Sequence, residues 1–380
     1  MTQDVQKLDR TYIAATYARF PVVLTHGKGS LVYDADGREY IDLSTGIAVN
    51  TFGFADEAWQ AAVTAQLGML QHTSNLYYSG PCAKLAAMLC EKTGMKKVFF
   101  GNSGAEANEC AIKAARKTAA EKKGKEYYHI ITLQNSFHGR TITTLAATGQ
   151  DVFHRDFTPL TEGFHYAPAG DLAAVEQLID TYPTAAVMIE VVQGEGGVLP
   201  LDKDYVTALA DLLSARDVLL ICDEVQIGNG RSGSLYGYMG YGIRPDIFTT
   251  AKGLGGGLPI GATVFGEKTA DVLTAGTHGS TFGGNPVCCA GALSILSRLN
   301  DTALTGVRER SAYIVQELTG APGIRSVTGL GLMLGIDPVR PAADVIRSCR
   351  ERGVLVIGAK QKVRLLPALN IPLPLLARAV

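Results

Sequence analysis

Apolar residues in the middle of the chain come in short unbroken runs, separated by stretches in which small and apolar residues recur every three or four positions. The runs are Lys97 to Phe100, His129 to Leu133, Ala185 to Val192, Val218 to Cys222, Ile247 to Thr250 and Ala262 to Phe265. Continuous rather than alternating apolarity is the pattern of strands covered on both faces, and the helical stretches between them supply the cover. From about residue 95 to 270 this rhythm predicts a mostly parallel sheet wrapped by helices. In such sheets ligands gather beyond the carboxyl ends of the strands, so the residues just after each run are where chemistry is sought.

The two ends of the chain read differently. Leu31 to Tyr33 and Glu39 to Leu43 flank the turn Asp34-Ala35-Asp36-Gly37, a hairpin signal. After about residue 284 an alanine-rich helical stretch leads into glycine-spaced segments at Gly329 to Gly335 and Gly353 to Val356. The expected division is a large central domain, 48–283, with residues 1–47 and 284–380 joining into a smaller α+β domain.

Composition narrows the partners. With 380 residues, 47% of them hydrophobic, the chain is too long for one small core and too apolar to be disordered. Its net charge is −1 with no long run of either sign, which offers no footprint for nucleic acid or an anionic membrane. Small molecules are left as the expected partners. The opening MTQDVQKLDR carries two acids and no apolar core, and no stretch of about 18 uncharged apolar residues occurs, so a cytoplasmic location is expected. Seven cysteines, without a C-x-x-C pair, read as reduced thiols; neither a disulfide framework nor a metal site is expected.

Three strand ends carry unusual residues. Gly101-Asn102-Ser103-Gly104-Ala105-Glu106 opens an amphipathic helix that stops at Gly124, and the free N–H groups there make either a phosphate cradle or a plain capping box of Ser103 and Glu106. Val218 to Cys222 ends in Asp223, a carboxylate able to orient a ring nitrogen, hold a metal or cap a loop. Ile247 to Thr250 leads to Lys252 and then to glycines, which suits either a partly desolvated amine nucleophile beside a bulky cofactor or a lysine that merely reaches out to solvent. Together they meet one demand. An aldehyde cofactor with a phosphate needs a lysine for its Schiff base, an acid against its pyridine nitrogen and a helix start for its phosphate, and pyridoxal phosphate fits all three.

Several longer strings then coincide: Phe-His-Gly-Arg-Thr at Phe137 to Thr141, Gln-Gly-Glu-Gly-Gly at Gln193 to Gly197, Asp-Glu-Val-Gln at Asp223 to Gln226, Thr249 to Gly257, and Thr277 to Pro286. On these strings, spread over nearly the whole chain, it resembles the class III pyridoxal-phosphate aminotransferases, and within them the acetylornithine group. The resemblance implies fold type I: a mostly parallel central sheet wrapped by helices, plus the smaller domain. It implies Lys252 as the Schiff-base lysine and Asp223 at the pyridine nitrogen, these two being the catalytic pair. Ser103, Gly104 and Ala105 would bind the phosphate, Phe137 and Val225 sandwich the ring, and Gln226 face its phenolic oxygen. Thr281 would reach the phosphate of a neighbouring subunit, which implies a homodimer with shared sites. Substrate contacts would come from Arg140, at the carboxylate far from the reacting amine, from Arg364, at the α-carboxylate of glutamate, and from Ser280, with Glu195 pairing to Arg364 when no carboxylate is there.

The implied reaction moves the δ-amino group of N2-acetyl-L-ornithine to 2-oxoglutarate, a step of arginine biosynthesis; ornithine, succinylornithine and 4-aminobutyrate are the alternative amines. More remote readings are an aminomutase or decarboxylase on the same scaffold, or a non-catalytic regulator that binds the cofactor. Three places depart from the family pattern. Val191 stands where proline commonly follows the glutamate, which bears on where Glu190 lies. Gly53-Phe54-Ala55-Asp56-Glu57 lacks two usual histidines. The stretch after Pro372 is shorter than usual, so a final helix is expected to be missing.

Overall fold

The computed structural model describes residues 2–380. At its centre lies a seven-stranded sheet. In chain order its strands are β1 (Lys97–Gly101), β2 (His129–Leu133), β3 (Phe164–Ala167), β4 (Thr184–Ile189), β5 (Leu219–Asp223), β6 (Ile247–Thr250) and β7 (Gly261–Phe265). Their spatial order is β1-β7-β6-β5-β4-β2-β3. Only β7 runs antiparallel to its neighbours; every other pair is parallel, as the unbroken apolar runs predict.

Period-two alternation divides these runs between two cores. Leu219 and Ile221 of β5, with Ala186 and Met188 of β4, pack on the alanine face of helix Gly104–Lys123, where Ala111, Ala114 and Ala115 let helix and sheet approach closely. Leu220 and Cys222 face the other way, into the core that holds Val206, Leu209 and Leu213 of helix Lys203–Ala215. Asp223 shares parity with Leu219 and Ile221, which turns its carboxylate toward the helix that begins at Gly104.

Two expectations need correcting. The run from Ala185 to Val192 is not one strand: β4 stops at Ile189, and Val192–Gln193 pairs instead with Leu199–Pro200. The break falls at Glu190, whose carboxylate accepts hydrogen bonds from the N–H groups of Phe137 and Gly194 and so holds the chain out of the ladder. The edge strand β3 had no signal because Phe-His-Tyr-Ala is mixed in polarity and only half-buried. A short helix, Leu373–Ala379, also follows Pro372, where none was expected.

The hairpin near the start forms as read. Leu31–Asp34 pairs with Glu39–Asp42, and Asp34 Oδ1 accepts from the N–H groups of Asp36 and Arg38 to make the turn, with Gly37 at φ +81°. Val354–Leu355 joins the same sheet beside Ile41 and Asp42, so the two chain ends share hydrogen bonds. A further sheet of Ile324–Leu330, Met333–Pro338, Lys362–Leu365 and Ile357–Ala359 carries Arg364 on its third strand.

Candidate active site

Beyond the carboxyl ends of β2, β4, β5 and β6 opens a cavity of about 610 Å³. Its lining includes Ser103, Gly104, Ala105, Phe137, Arg140, Asp223, Val225, Gln226 and Lys252, nine of the residues expected from the sequence. Helix Gly104–Lys123 starts at the rim. Ser103 Oγ accepts from the N–H of Glu106 and caps the helix, while the Glu106 carboxylate accepts from Asn102 N and the Ser103 hydroxyl, one residue short of the reciprocal bond to the Ser103 N–H that a full capping box makes. The cap leaves Gly104 and Ala105 in the first turn, with N–H groups that no helix carbonyl can reach. A Cβ on Gly104 would lie 2.6 Å from Val225 Cγ1, so only glycine lets the helix start meet the loop after β5.

Asp223 is almost fully buried and hydrogen-bonded at both oxygens. Its Oδ2 accepts from Asn108 Nδ2 and from His138 Nδ1, each at 2.8 Å, and its Oδ1 accepts from Val225 N at 3.0 Å. A carboxylate receiving a proton from Nδ1 leaves the opposite ring nitrogen, Nε2, buried and without a partner. Glu190 lies in the same wall, 5% exposed. Burial pushes its carboxyl up to about 7; His138 and the Phe137 and Gly194 N–H groups oppose the rise, and the Asp223 charge reinforces it. None of Glu190, His138 and Asn108 was among the expected site residues. His138 sat unread inside the Phe137 to Thr141 string. Asn108, a buried amide in a helix interior, is a polar residue at an apolar-periodic position, and that is a usable signal.

Lys252 follows β6 at φ +45°, a left-handed backbone that strains an L side chain. Desolvation lowers its ammonium pKa; the charges of Glu195 and Asp223 pull the other way and Arg364 adds to the fall. The amine is therefore more readily deprotonated than a surface lysine.

Behind Gln226, outside the cavity lining, lies a charged cluster. Arg364 is 3% exposed, and its Nη1 donates to Glu195 Oε1 at 2.7 Å and to Gln226 Oε1 at 2.8 Å. Gln226 Nε2 donates to Glu195 at 3.3 Å. Burial raises the Glu195 carboxyl pKa, but the charge and hydrogen bond of Arg364, with Lys252 and Gln226, bring it net below the ordinary value, so Glu195 is ionised. Arg140 is the opposite case: exposed at the cavity mouth, with no hydrogen bond or ion pair among the described residues. Its guanidinium carbon lies 4.5 Å from the ring centroid of Phe153 and 5.5 Å from that of Phe137. Ser280 does not line the cavity but accepts from the Asn102 amide, which does, at 3.2 Å. Thr281 is exposed beside Phe282 and lies outside the cavity of this chain.

The residues present fit pyridoxal phosphate. Free helix-start N–H groups suit a phosphate, a buried carboxylate held at both oxygens suits a ring nitrogen, and a desolvated amine suits an aldehyde.

The chain matches the family Aminotransferase class-III over residues 12–379. It is 50% identical over 374 residues to the acetylornithine aminotransferase of Haemophilus ducreyi, with 98% of this chain and 95% of that one covered. It is 42% identical over 376 residues to the succinylornithine transaminase of Yersinia pseudotuberculosis, covering 95% and 91%. Among solved structures, the ornithine aminotransferase from Toxoplasma gondii superposes with a TM-score of 0.95 at 32% identity, over 100% of this chain and 93% of that one.

Proposed function

Because the chain belongs to the class-III aminotransferases, we propose that it moves the δ-amino group of N2-acetyl-L-ornithine to 2-oxoglutarate, releasing N-acetyl-L-glutamate 5-semialdehyde and L-glutamate. The observation that carries this reading is the pairing of buried Arg364 with Glu195. A transaminase must accept two different partners in one site, and only one of them, glutamate, brings a carboxylate to Arg364. A guanidinium left unpaired in so dry a place costs a few kcal/mol, which a resident acid removes whenever the acylated amine is bound.

Pyridoxal phosphate, when bound, supplies the carbonyl that takes up the amine and the protonated ring that accepts the electrons of the broken C–H bond. The chain's own residues do the rest. Gly104 and Ala105 N–H groups would hold the phosphate, joined by the Ser103 hydroxyl once it turns from the Glu106 carboxylate. Asp223, itself fixed by Asn108 and His138, would hold a proton on the ring nitrogen. Phe137 and Val225 would hold the ring between them, and Gln226 would face its phenolic oxygen. Lys252 Nζ would take the proton from the substrate carbon that bears the nitrogen and pass it to the cofactor carbon that had been the carbonyl. Arg140 would bind the distal carboxylate of both substrates with its planar fork, and Ser280 would act on the substrate through the Asn102 amide that donates to it.

We take the working unit to be a cytoplasmic homodimer. Seven free cysteines support a reducing location, and among the described residues no helix is long and apolar enough to cross a membrane. Leu67, Met69, Leu70, Leu76, Tyr77, Tyr78 and Phe282 are all exposed. Asn75 and Asn285 lock the loops that carry most of them together, through bonds to Ser280 O, Gly283 O and Gln71 O. An apolar surface built around Thr281 supports the partner subunit's Thr281 reaching the phosphate. The small domain, 1–47 with 284–380, then carries Arg364 against the large domain.

Turnover with 2-oxoglutarate tests the reading, with kcat/KM compared on N2-acetylornithine, N2-succinylornithine and ornithine. The acetyl amine is expected to lead. A lead for either of the others reassigns the substrate, and no transfer to 2-oxoglutarate from any of them removes the transaminase reading.

A further inference from the structure

Phe153 lies outside the cavity lining, yet its ring sits nearer the Arg140 guanidinium than that of Phe137, which does line it. Its ring centroid is 4.5 Å from the guanidinium carbon, and it meets Phe137 edge to face, with centroids 5.6 Å apart and planes at 72°. The two rings form a bracket at the cavity mouth, with the guanidinium against both.

The turn that presents Phe153 is tied down from three sides. Phe153 N donates to Gln150 O at 3.0 Å, closing the short helical turn Asp151–Phe153. The buried Gln150 amide donates to Ser136 O at 3.0 Å and to Asn135 O at 3.3 Å, directly before Phe137. His154 Nε2 lies 2.9 Å from Leu145 O, in the helix that follows Arg140. The ring is therefore fixed to the same loop that carries the arginine.

An arginine held by an acid or an amide spends its N–H donors on that partner. One held by aromatic faces keeps all five for a ligand, because the attraction acts on the flat side of the guanidinium. A free arginine with no support would instead lose several rotatable bonds' worth of entropy on binding. We propose that Phe153 is a positioning residue: with Phe137 it orders the Arg140 fork at the cavity mouth, and thereby sets the preference for amines that carry a distal carboxylate. This rests on the reading of Arg140 as the carboxylate-binding arginine.

The test uses the holoenzyme and two amines that differ only in the carboxylate, N2-acetylornithine and N-acetylputrescine, compared in the parent, in Phe153→Leu, in Phe153→Tyr and in Arg140→Ala. In Phe153→Leu, KM for N2-acetylornithine should rise by about twofold to thirtyfold, the range of a lost cation–π contact, with kcat changed by less than about twofold. N-acetylputrescine, having nothing for the fork to hold, should keep the parent's kcat/KM, and the absorbance of the bound cofactor should not shift. Phe153→Tyr, which keeps the ring face, should restore the parent's KM. Equal losses for both amines in Phe153→Leu would overturn the proposal, since the ring would then support the cavity and not the fork. If Arg140→Ala abolishes the preference for the carboxylate while Phe153→Leu leaves it intact, Phe153 falls and the reading of Arg140 stands. If Arg140→Ala keeps the preference, both fall together.

Discussion

Two arginines, one at the cavity mouth and one behind its Gln226 wall, are held by opposite means. Arg364 is buried, on a strand, and paired with Glu195 and Gln226; Arg140 is exposed, on a loop, and lies against two aromatic rings with no hydrogen bond or ion pair among the described residues. Under the proposed reaction their duties differ in the same way. Arg140 meets a carboxylate in both half-reactions, so a standing partner would only compete. Arg364 meets one in a single half-reaction and needs company in the other. A cation in constant use can be left open to water, which screens it cheaply; one used half the time in a dry place needs an acid of its own.

The largest expected effect removes the amine of the cavity wall. Lys252→Ala should slow both half-reactions by roughly 10² to 10⁴, since the positioned base is lost whichever substrate is bound. Purified variant that still holds cofactor non-covalently, assayed with either substrate, would measure this; turnover near the parent's would break the assignment of Lys252.

Glu195→Ala strikes at the comparison itself. The acetylornithine half-reaction should slow, because Arg364 is then unpaired, while the glutamate half-reaction should hold or quicken, because its α-carboxylate no longer has to displace an acid. A coupling of about 1 to 3 kcal/mol separates the two rates by roughly 5- to 150-fold. Stopped-flow cofactor absorbance, taken one half-reaction at a time, reads the ratio. Equal slowing would mean that Glu195 only supports the fold.

A third carboxylate sharpens the contrast. Glu195, facing an arginine, has its pKa pulled below the ordinary value, whereas Glu190, buried with no arginine, is pushed up to about 7 from 4.5. Between those two pH values the unfolded chain has released the Glu190 proton and the folded chain still holds it, so stability falls as pH rises through that window. Glu190→Gln removes this fall. In urea unfolding of cofactor-free protein, the variant should gain on the parent by on the order of 2 to 3 kcal/mol between about pH 5 and pH 8. Buried Glu224, also pushed up to about 7, is present in both proteins and cancels. A constant difference across that range would place the Glu190 proton elsewhere.

The smallest effect is the swap Arg140→Lys. Charge is kept and the two-pronged fork is lost, so KM for both carboxylate substrates should rise about threefold to tenfold, and by the same factor in each half-reaction. Unequal factors would mean that Arg140 serves only one of them.

Much of this was legible along the chain, and unevenly. Ser103, Asp223 and Lys252 announced themselves because each follows a run of apolar residues and breaks its pattern. The Glu195–Arg364 pair was expected only through resemblance, since 169 positions separate the partners and no local rule joins them. Asn108 and His138, which hold Asp223, went unread for a related reason. A helix residue and a loop residue meet a strand end only after the sheet has formed. The division of the run from Ala185 to Val192 likewise turned on Phe137 and Gly194 N–H groups reaching Glu190, contacts invisible to a count of apolar positions.

Sequence by itself determined the alternation of strand and helix, the covered sheet, the turn at Gly37, the helix start at Gly104 and the residues that end the strands. These depend on neighbours a few positions apart: hydrophobic period, capping chemistry and glycine's freedom at positive φ. Tertiary structure alone decided which acid pairs with which cation, which carboxyl keeps its proton near neutrality, and which arginine has its donors free. Those properties depend on burial and on distances of a few ångströms between segments far apart in the chain, and neither exists until the sheet, the small domain and the loops between them have closed on one another.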